Sequence, residues 1–231
     1  MLKAIANSLK LFNFPLTYKK SCKRLHDRLK SLLHLDQNIA IREMQERIAF
    51  YEDMKAYNQL FELLSGGIFR FTFSLVKSHE VAEEIVSDVF IKMWQIRDRL
   101  PEIENLKVYL YTIARNFSLN YITKHYKNTT VSLEELDVEA VIELNGPAEM
   151  CISADLIRQI QRIIRQLPPQ CRLIFQLVKE EGLKYKEVAA ILDISPLTVR
   201  NQLAIAIRKI GEALPTYLQS DFIVINRFSH S

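Results

Sequence analysis

The chain has 231 residues, 48% of them hydrophobic and 25% charged, with 31 Lys and Arg against 27 Asp and Glu, and only 5 Gly and 7 Pro. That is enough chain for one or two small cores, too few turn residues for an all-β fold, and its apolar runs are too short and too often broken by charge for a membrane span. Cys22, Cys151 and Cys171 are odd in number and far apart, which argues against a disulfide framework or a metal-ligand set and points to a reduced, cytoplasmic setting.

The net charge of +4 is unevenly spread: residues 1–50 carry +6, 51–126 carry −1, 127–152 carry −5 and 153–214 carry +4. A basic end, a near-neutral block, an acidic strip and a second basic block suggest separate parts with separate partners. In the first, "KKSCKRLHDRLKSLLHL" places Leu25, Leu29, Leu32 and Leu33 at helical spacing among Lys23, Arg24, Arg28 and Lys30. This spacing predicts a basic, weakly amphipathic helix.

From Tyr57 to Tyr126 the apolar period is helical. In "SHEVAEEIVSDVFIKMWQIRDRL" the residues Val81, Ile85, Val86, Val89, Phe90, Met93 and Trp94 form a packing stripe, while Glu80, Glu84 and Asp88 form an acidic one. A loop at Pro101–Asn105 leads to "NLKVYLYTIARNFSLNYITKHYK", where Leu106, Leu110, Ile113, Ala114 and Phe117 suit a buried stripe and Thr112, Asn116 and Asn120 share the opposite face. Residues 127–152 lose the period, hold six acids and include Gly146-Pro147, the marks of a flexible linker.

Helices resume at Ser153. "LKYKEVAAIL" puts Leu183, Val188, Ala189 and Leu192 on one stripe, and about three residues later Ser195 and Pro196 supply an N-cap and a first helical residue. Two helices so closely joined read as a helix-turn-helix, with Ala189 as the small residue between them, Val199 buried on the second, and Asp193 in the left-handed position of the turn. An ordinary helical hairpin stays open at this point.

The three stretches "AEEIVSDVFIKMW", "YLYTIARNFSLNYI" and "LPPQCRLIFQLVKEEGLKYKEVAAILDISPLTVRNQL", in that order and joined by an acidic linker, resemble the sigma-70 family of bacterial RNA polymerase sigma factors, extracytoplasmic-function group. The resemblance implies an all-α fold of two small helical domains. Residues 56–126 would be sigma region 2, which docks on polymerase and opens the −10 element, and 153–214 sigma region 4, which reads the −35 element. The acidic linker at 127–152 would run through a polymerase channel built for nucleic acid. The extension 1–55 and the tail 215–231 lie outside the resemblance.

The implied partners are core RNA polymerase and promoter DNA, with an anti-sigma factor as a further one, and no cofactor. Glu84 and Asp88, beside Phe90 and Trp94, would meet a basic surface of the polymerase. Asn116 and Asn120 would read unstacked −10 bases, since an amide both donates and accepts, with Arg115 and Lys124 near phosphates. The loop Arg97–Asn105 would form the pocket for a flipped base. Thr198, Arg200, Asn201 and Gln202 in the first turns of the last helix would enter the major groove, with Lys184, Arg208 and Lys209 on phosphates.

The rival function is a LuxR-type regulator that binds an operator alone; it would need a sensor or receiver where 57–126 shows only helices. An enzyme is not expected, because there is no glycine-rich phosphate loop or nucleophile motif, and His26, His34, His79, His125 and His230 are scattered. No catalytic or metal-binding residue is assigned. For the first fifty residues three readings compete: a DNA- or membrane-surface arm, a segment covering the DNA-binding face, or a dispensable tail before a start at Met44 or Met54. The tail is the expectation, because relatives commonly begin just before the first polymerase-binding helix.

Overall fold

A computed structural model describes residues 38–125 and 162–213, which are helices and their connections and contain no strand. The basic leucine-bearing segment, the acidic linker and the C-terminal tail lie outside the described residues. Helix α1 spans 38–51, α2 Met54–Val76, α3 His79–Gln95 and α4 Leu106–His125, with a 3-10 turn at Arg97–Glu102 between the last two.

The starts of α2, α3 and α4 each have a side-chain cap. Asp53 accepts from the backbone N–H of Lys55 and Ala56 at 2.8 and 3.2 Å, and Ser78 accepts from Val81 N at 3.3 Å. Asn105 Oδ1 accepts from Val108 N at 3.1 Å. These bonds satisfy donors that the first helical turn leaves without partners.

The three helices α2, α3 and α4 pack on one another. Ile85, Val86, Val89, Phe90 and Met93 of α3 are buried, as the stripe predicts, while Val81 and Trp94 are half-buried. On α4 the buried set is Leu106, Leu110, Tyr111, Ala114, Ser118 and Ile122, with Ile113 and Phe117 packed at its margin. Helix α1 adds Ile41, Met44 and Ile48 to the same core, one helical stripe of the sequence "IREMQERIAF". A chain starting at Met44 would therefore cut a helix that belongs to this body.

After a helical turn at 162–165 come α5 (Pro169–Phe175), continued by a π-helical turn at Gln176–Glu180, then α6 (Tyr185–Leu192) and α7 (Pro196–Ala213). Gly182, at φ 70°, takes the chain out of the π turn in a conformation other residues resist. Helices α6 and α7 form the expected helix-turn-helix: Asp193 is left-handed at φ 58°, Ser195 Oγ accepts from Thr198 N at 3.0 Å, and α7 starts at Pro196. Ala189 and Val199 are both buried between the helices.

The apolar core is continuous from α2–α4 into Leu173, Ile174, Leu177, Val188, Ile191 and Leu203, because α6 lies along α4. A second cluster of Ile163, Ile164, Leu167, Cys171, Ala206 and Ile210 closes the far end. The charge pattern and the linker suggest two independent bodies; in this structure they share a core.

Candidate nucleic-acid interface

On α4, Asn116, Asn120 and Lys124 are exposed and four residues apart, so they form one column along the helix. Thr112, one turn earlier, is half-buried and donates its hydroxyl proton back to Val108 O at 2.9 Å. Arg115 is half-buried, and its Nη1 donates to Asn116 Oδ1 at 3.5 Å, which steadies the amide rather than projecting the guanidinium. The column thus presents two amides and a cation to solvent, and an amide can pair with the edge of a base that has left its stack.

Beside the start of α4 lies the Arg97–Asn105 loop, held by three contacts. Arg97 Nε and Nη2 donate to Glu52 Oε1 at 3.1 and 2.8 Å, with the guanidinium 5.2 Å from the centre of the Trp94 ring. Gln45 Nε2, on α1, donates to the carbonyls of Leu100 and Ile103 at 2.7 and 3.1 Å. Asn105 caps α4 and donates its Nδ2 to Glu187 Oε1 at 2.9 Å. Sequence reading did not single out Gln45 or Glu52. The signal for Gln45 was present, as a polar residue inside the apolar stripe of α1.

On α7, Arg200 and Asn201 are exposed and Thr198 is half-buried, its Oγ1 sharing a hydrogen bond with Ser195 Oγ at 2.9 Å. Gln202 is a correction: it faces inward and its Oε1 accepts from Cys171 Sγ at 2.8 Å, because its position on the helix turns toward α5. Lys184 and Lys209 are exposed, whereas Arg208 lies 3.8 Å from Glu212 in an exposed pair. Tyr185, whose hydroxyl burial pushes up to about 12 against the pull of Arg200, borders the same surface.

Helix α3 shows Glu84, Asp88 and Ile91 on one exposed face, Ile91 at 52% exposure. Phe90 is a second correction. It is 1% exposed and packs against Phe61 at 4.7 Å between ring centres, so it supports the face from beneath and cannot touch a partner. Trp94, half-buried with Tyr57 edge-on at 5.4 Å, keeps part of its ring open.

Where the helix-turn-helix meets α2 and α4, Glu181 inserts its carboxylate between two cations. Arg70 Nη2 donates to Oε1 at 2.7 Å, and Lys107 Nζ lies 3.5 Å from Oε2 while donating to the Glu181 carbonyl at 2.6 Å. Gly67 makes the room: a Cβ there would lie 2.5 Å from Oε2 and would also strike the Tyr111 hydroxyl. Burial alone would raise the Glu181 carboxyl, but Lys107 and Arg70 hold it below the usual carboxylate range. Burial pushes the neighbouring Glu180 up to about 7, against Arg70 and with the help of the Glu181 charge.

Among the described residues no helix is long and apolar enough to cross a membrane. Residues 60–128 match the family model for sigma-70 region 2, and residues 157–210 match that for sigma-70 region 4, together more than half of the chain. The chain is 28% identical over 158 residues to the ECF RNA polymerase sigma-E factor of Escherichia coli strain K12, across 65% of this chain and 82% of the relative. It is 23% identical over 146 residues to the ECF RNA polymerase sigma factor SigM of Bacillus subtilis strain 168, across 63% and 87%.

Among solved structures, the sigma factor RpoE in complex with the anti-sigma factor NepR from Bartonella quintana aligns with a TM-score of 0.49 at 24% identity, covering 69% of this chain and 96% of that one. The region 2 match runs from within α2 through α4, and the region 4 match covers α5–α7, in that order. The relatives it resembles are named ECF RNA polymerase sigma factors, and the chain belongs to the sigma-70 family, whose members serve transcription initiation with core RNA polymerase and promoter DNA as partners.

Proposed function

We propose that this sigma factor reads the −10 element with the Asn116–Asn120–Lys124 column, reads the −35 element with Thr198, Arg200 and Asn201, and docks on core polymerase through Glu84 and Asp88. The observation that carries the proposal is the column itself. Two amides at i, i+4 stand exposed on an otherwise well-packed helix beside a pinned loop, the arrangement suited to reading bases that have left the stack. Arg200 and Asn201 sit in the first turns of the second helix of the helix-turn-helix, the part that enters a major groove. Lys184, Lys209 and Arg208 supply phosphate contacts around it, and Arg115 acts behind Asn116. The anti-sigma factor is retained as a partner on family grounds alone.

Permanganate footprinting of the initiation complex tests the −10 reading. Asn116→Ala and Asn120→Ala lower strand opening more than closed-complex formation, because the base edges become available only after unstacking; equal loss at both steps points to folding or phosphate contact instead. For the polymerase face, Glu84→Lys with Asp88→Lys weakens core binding in a competition assay while helicity is kept, and unchanged affinity removes this face from the interface.

A further inference from the structure

We infer that Gln45 is a positioning residue for promoter opening, holding the Arg97–Asn105 loop in the shape that receives a displaced base. The inference rests on the reading of that loop as the base pocket and adds to it the element that sets the pocket's shape.

Gln45 is 1% exposed although it is polar, and it lies on the core face of α1 between Ile41 and Ile48. A buried amide costs stability unless its donors are used. Here its Nε2 donates to the carbonyls of Leu100 and Ile103, three residues apart, and so spans the tightest part of the loop. Leu100 O also accepts from Ile103 N at 3.1 Å, so the turn is tied by its own bond and by the amide from outside. The side chain of Leu100 is fully buried below, while Glu102 and Glu104 are exposed above.

Each loop residue left mobile would have to be ordered when a base arrives, at a cost in conformational entropy. A loop already tied leaves that part of the binding free energy for the base. Glu52, at the end of α1, ties the loop's other end through Arg97. Helix α1 is thus the scaffold of the loop, and Gln45 is its contact with the loop's centre.

The test uses the full chain with core polymerase and a pool of fork-junction DNA whose single-stranded non-template positions are randomised, with selected molecules sequenced. The wild-type chain selects bases at the positions facing the loop and at those facing Asn116 and Asn120, by about tenfold for one base contact. Gln45→Met keeps the side chain's length and removes the donor. Its preference at the loop positions falls to within about twofold, while the Asn-directed preference, the −35 preference, core affinity and melting temperature stay near wild type. Gln45→Glu, whose carboxyl is driven to its protonated form by burial against two carbonyls, keeps one O–H donor and retains part of the loop preference.

A Gln45→Met chain that keeps its loop preference overturns the inference. An even loss at every position, or a fall in core affinity, overturns it too, because the residue is then only part of the core. A wild-type chain with no single-stranded preference at the loop positions refutes the pocket reading itself, which is a different failure, visible before any variant is made.

Discussion

Two elements join the same α2–α4 body by opposite chemistry. Helix α1 is held mainly by Ile41, Met44 and Ile48 and by the neutral amide of Gln45, while solvent screening weakens the exposed Glu52–Arg97 charge pair at its end. The helix-turn-helix part is held by apolar residues too, but its contact centres on the Glu181 carboxylate between Arg70 and Lys107, with Asn105 on Glu187 at the edge. An apolar join with a satisfied amide stabilises in proportion to the surface it removes from water and responds little to pH or charge. A buried ion pair roughly cancels its own desolvation cost while whole, and becomes strongly unfavourable when one partner is removed. The α1 join is therefore graded, whereas the Glu181 join is all or none.

The largest effect should come from Glu181→Ala, which removes the buried carboxylate that Arg70 and Lys107 share. The contact loses about 3–5 kcal/mol, and the α5–α7 part separates from α2–α4, read as a larger radius in small-angle scattering. An unchanged radius would break the comparison, since it would place the strength of this join in its apolar part. Ile48→Ala, on the other join, costs about 2–4 kcal/mol of stability in denaturant unfolding, without a change in the radius of the folded chain. Separation of the two parts in that variant would show that α1 and the helix-turn-helix are one cooperative contact.

The smallest effect concerns Glu180. Its folded value of about 7 is above the usual carboxylate value of 4.5, so the folded chain binds the extra proton between these limits. Stability from this group is complete below pH 4.5 and is lost as pH rises through about 7. Glu181 has the opposite sign: held low, it stabilises above its ordinary value and loses this contribution as the pH falls. Glu180→Gln should therefore raise stability above pH 7 by on the order of 1–2 kcal/mol after solvent screening and leave it unchanged near pH 4.5. A gain that is equal at both pH values would assign the effect to packing.

The helices α3, α4, α6 and α7 were legible in the sequence because their apolar stripes, caps and turn residues agree, as Ser78, Asn105, Asp193 and Ser195 show. The stripe of α1 was equally present, but it sits at the end of a basic segment whose charge dominated the reading. Phe90 belongs to the packing stripe as its spacing says, but its depth excludes the partner contact also expected of it, and Gln202 lies deeper than its spacing suggests. Helical spacing tells which residues share a face but not how deep each lies, and depth depends on Phe61 and Cys171 from other elements. The Glu181 contact could not be read from the sequence at all, because Arg70 and Lys107 are 111 and 74 residues away along the chain and carry no local pattern. Gly67 hinted at close approach, yet nothing in its neighbours named the visitor.

The measurement that meets the central claim most directly is transcription by purified core polymerase with and without this chain on fragmented genomic DNA, with start sites sequenced. The account predicts start sites that depend on the chain, share sequence at both −10 and −35, and lose the −10 signature first when Asn116 and Asn120 are replaced together by Ala. New start sites that share neither element, or a chain that binds duplex DNA tightly by itself and leaves core polymerase unchanged, would contradict it.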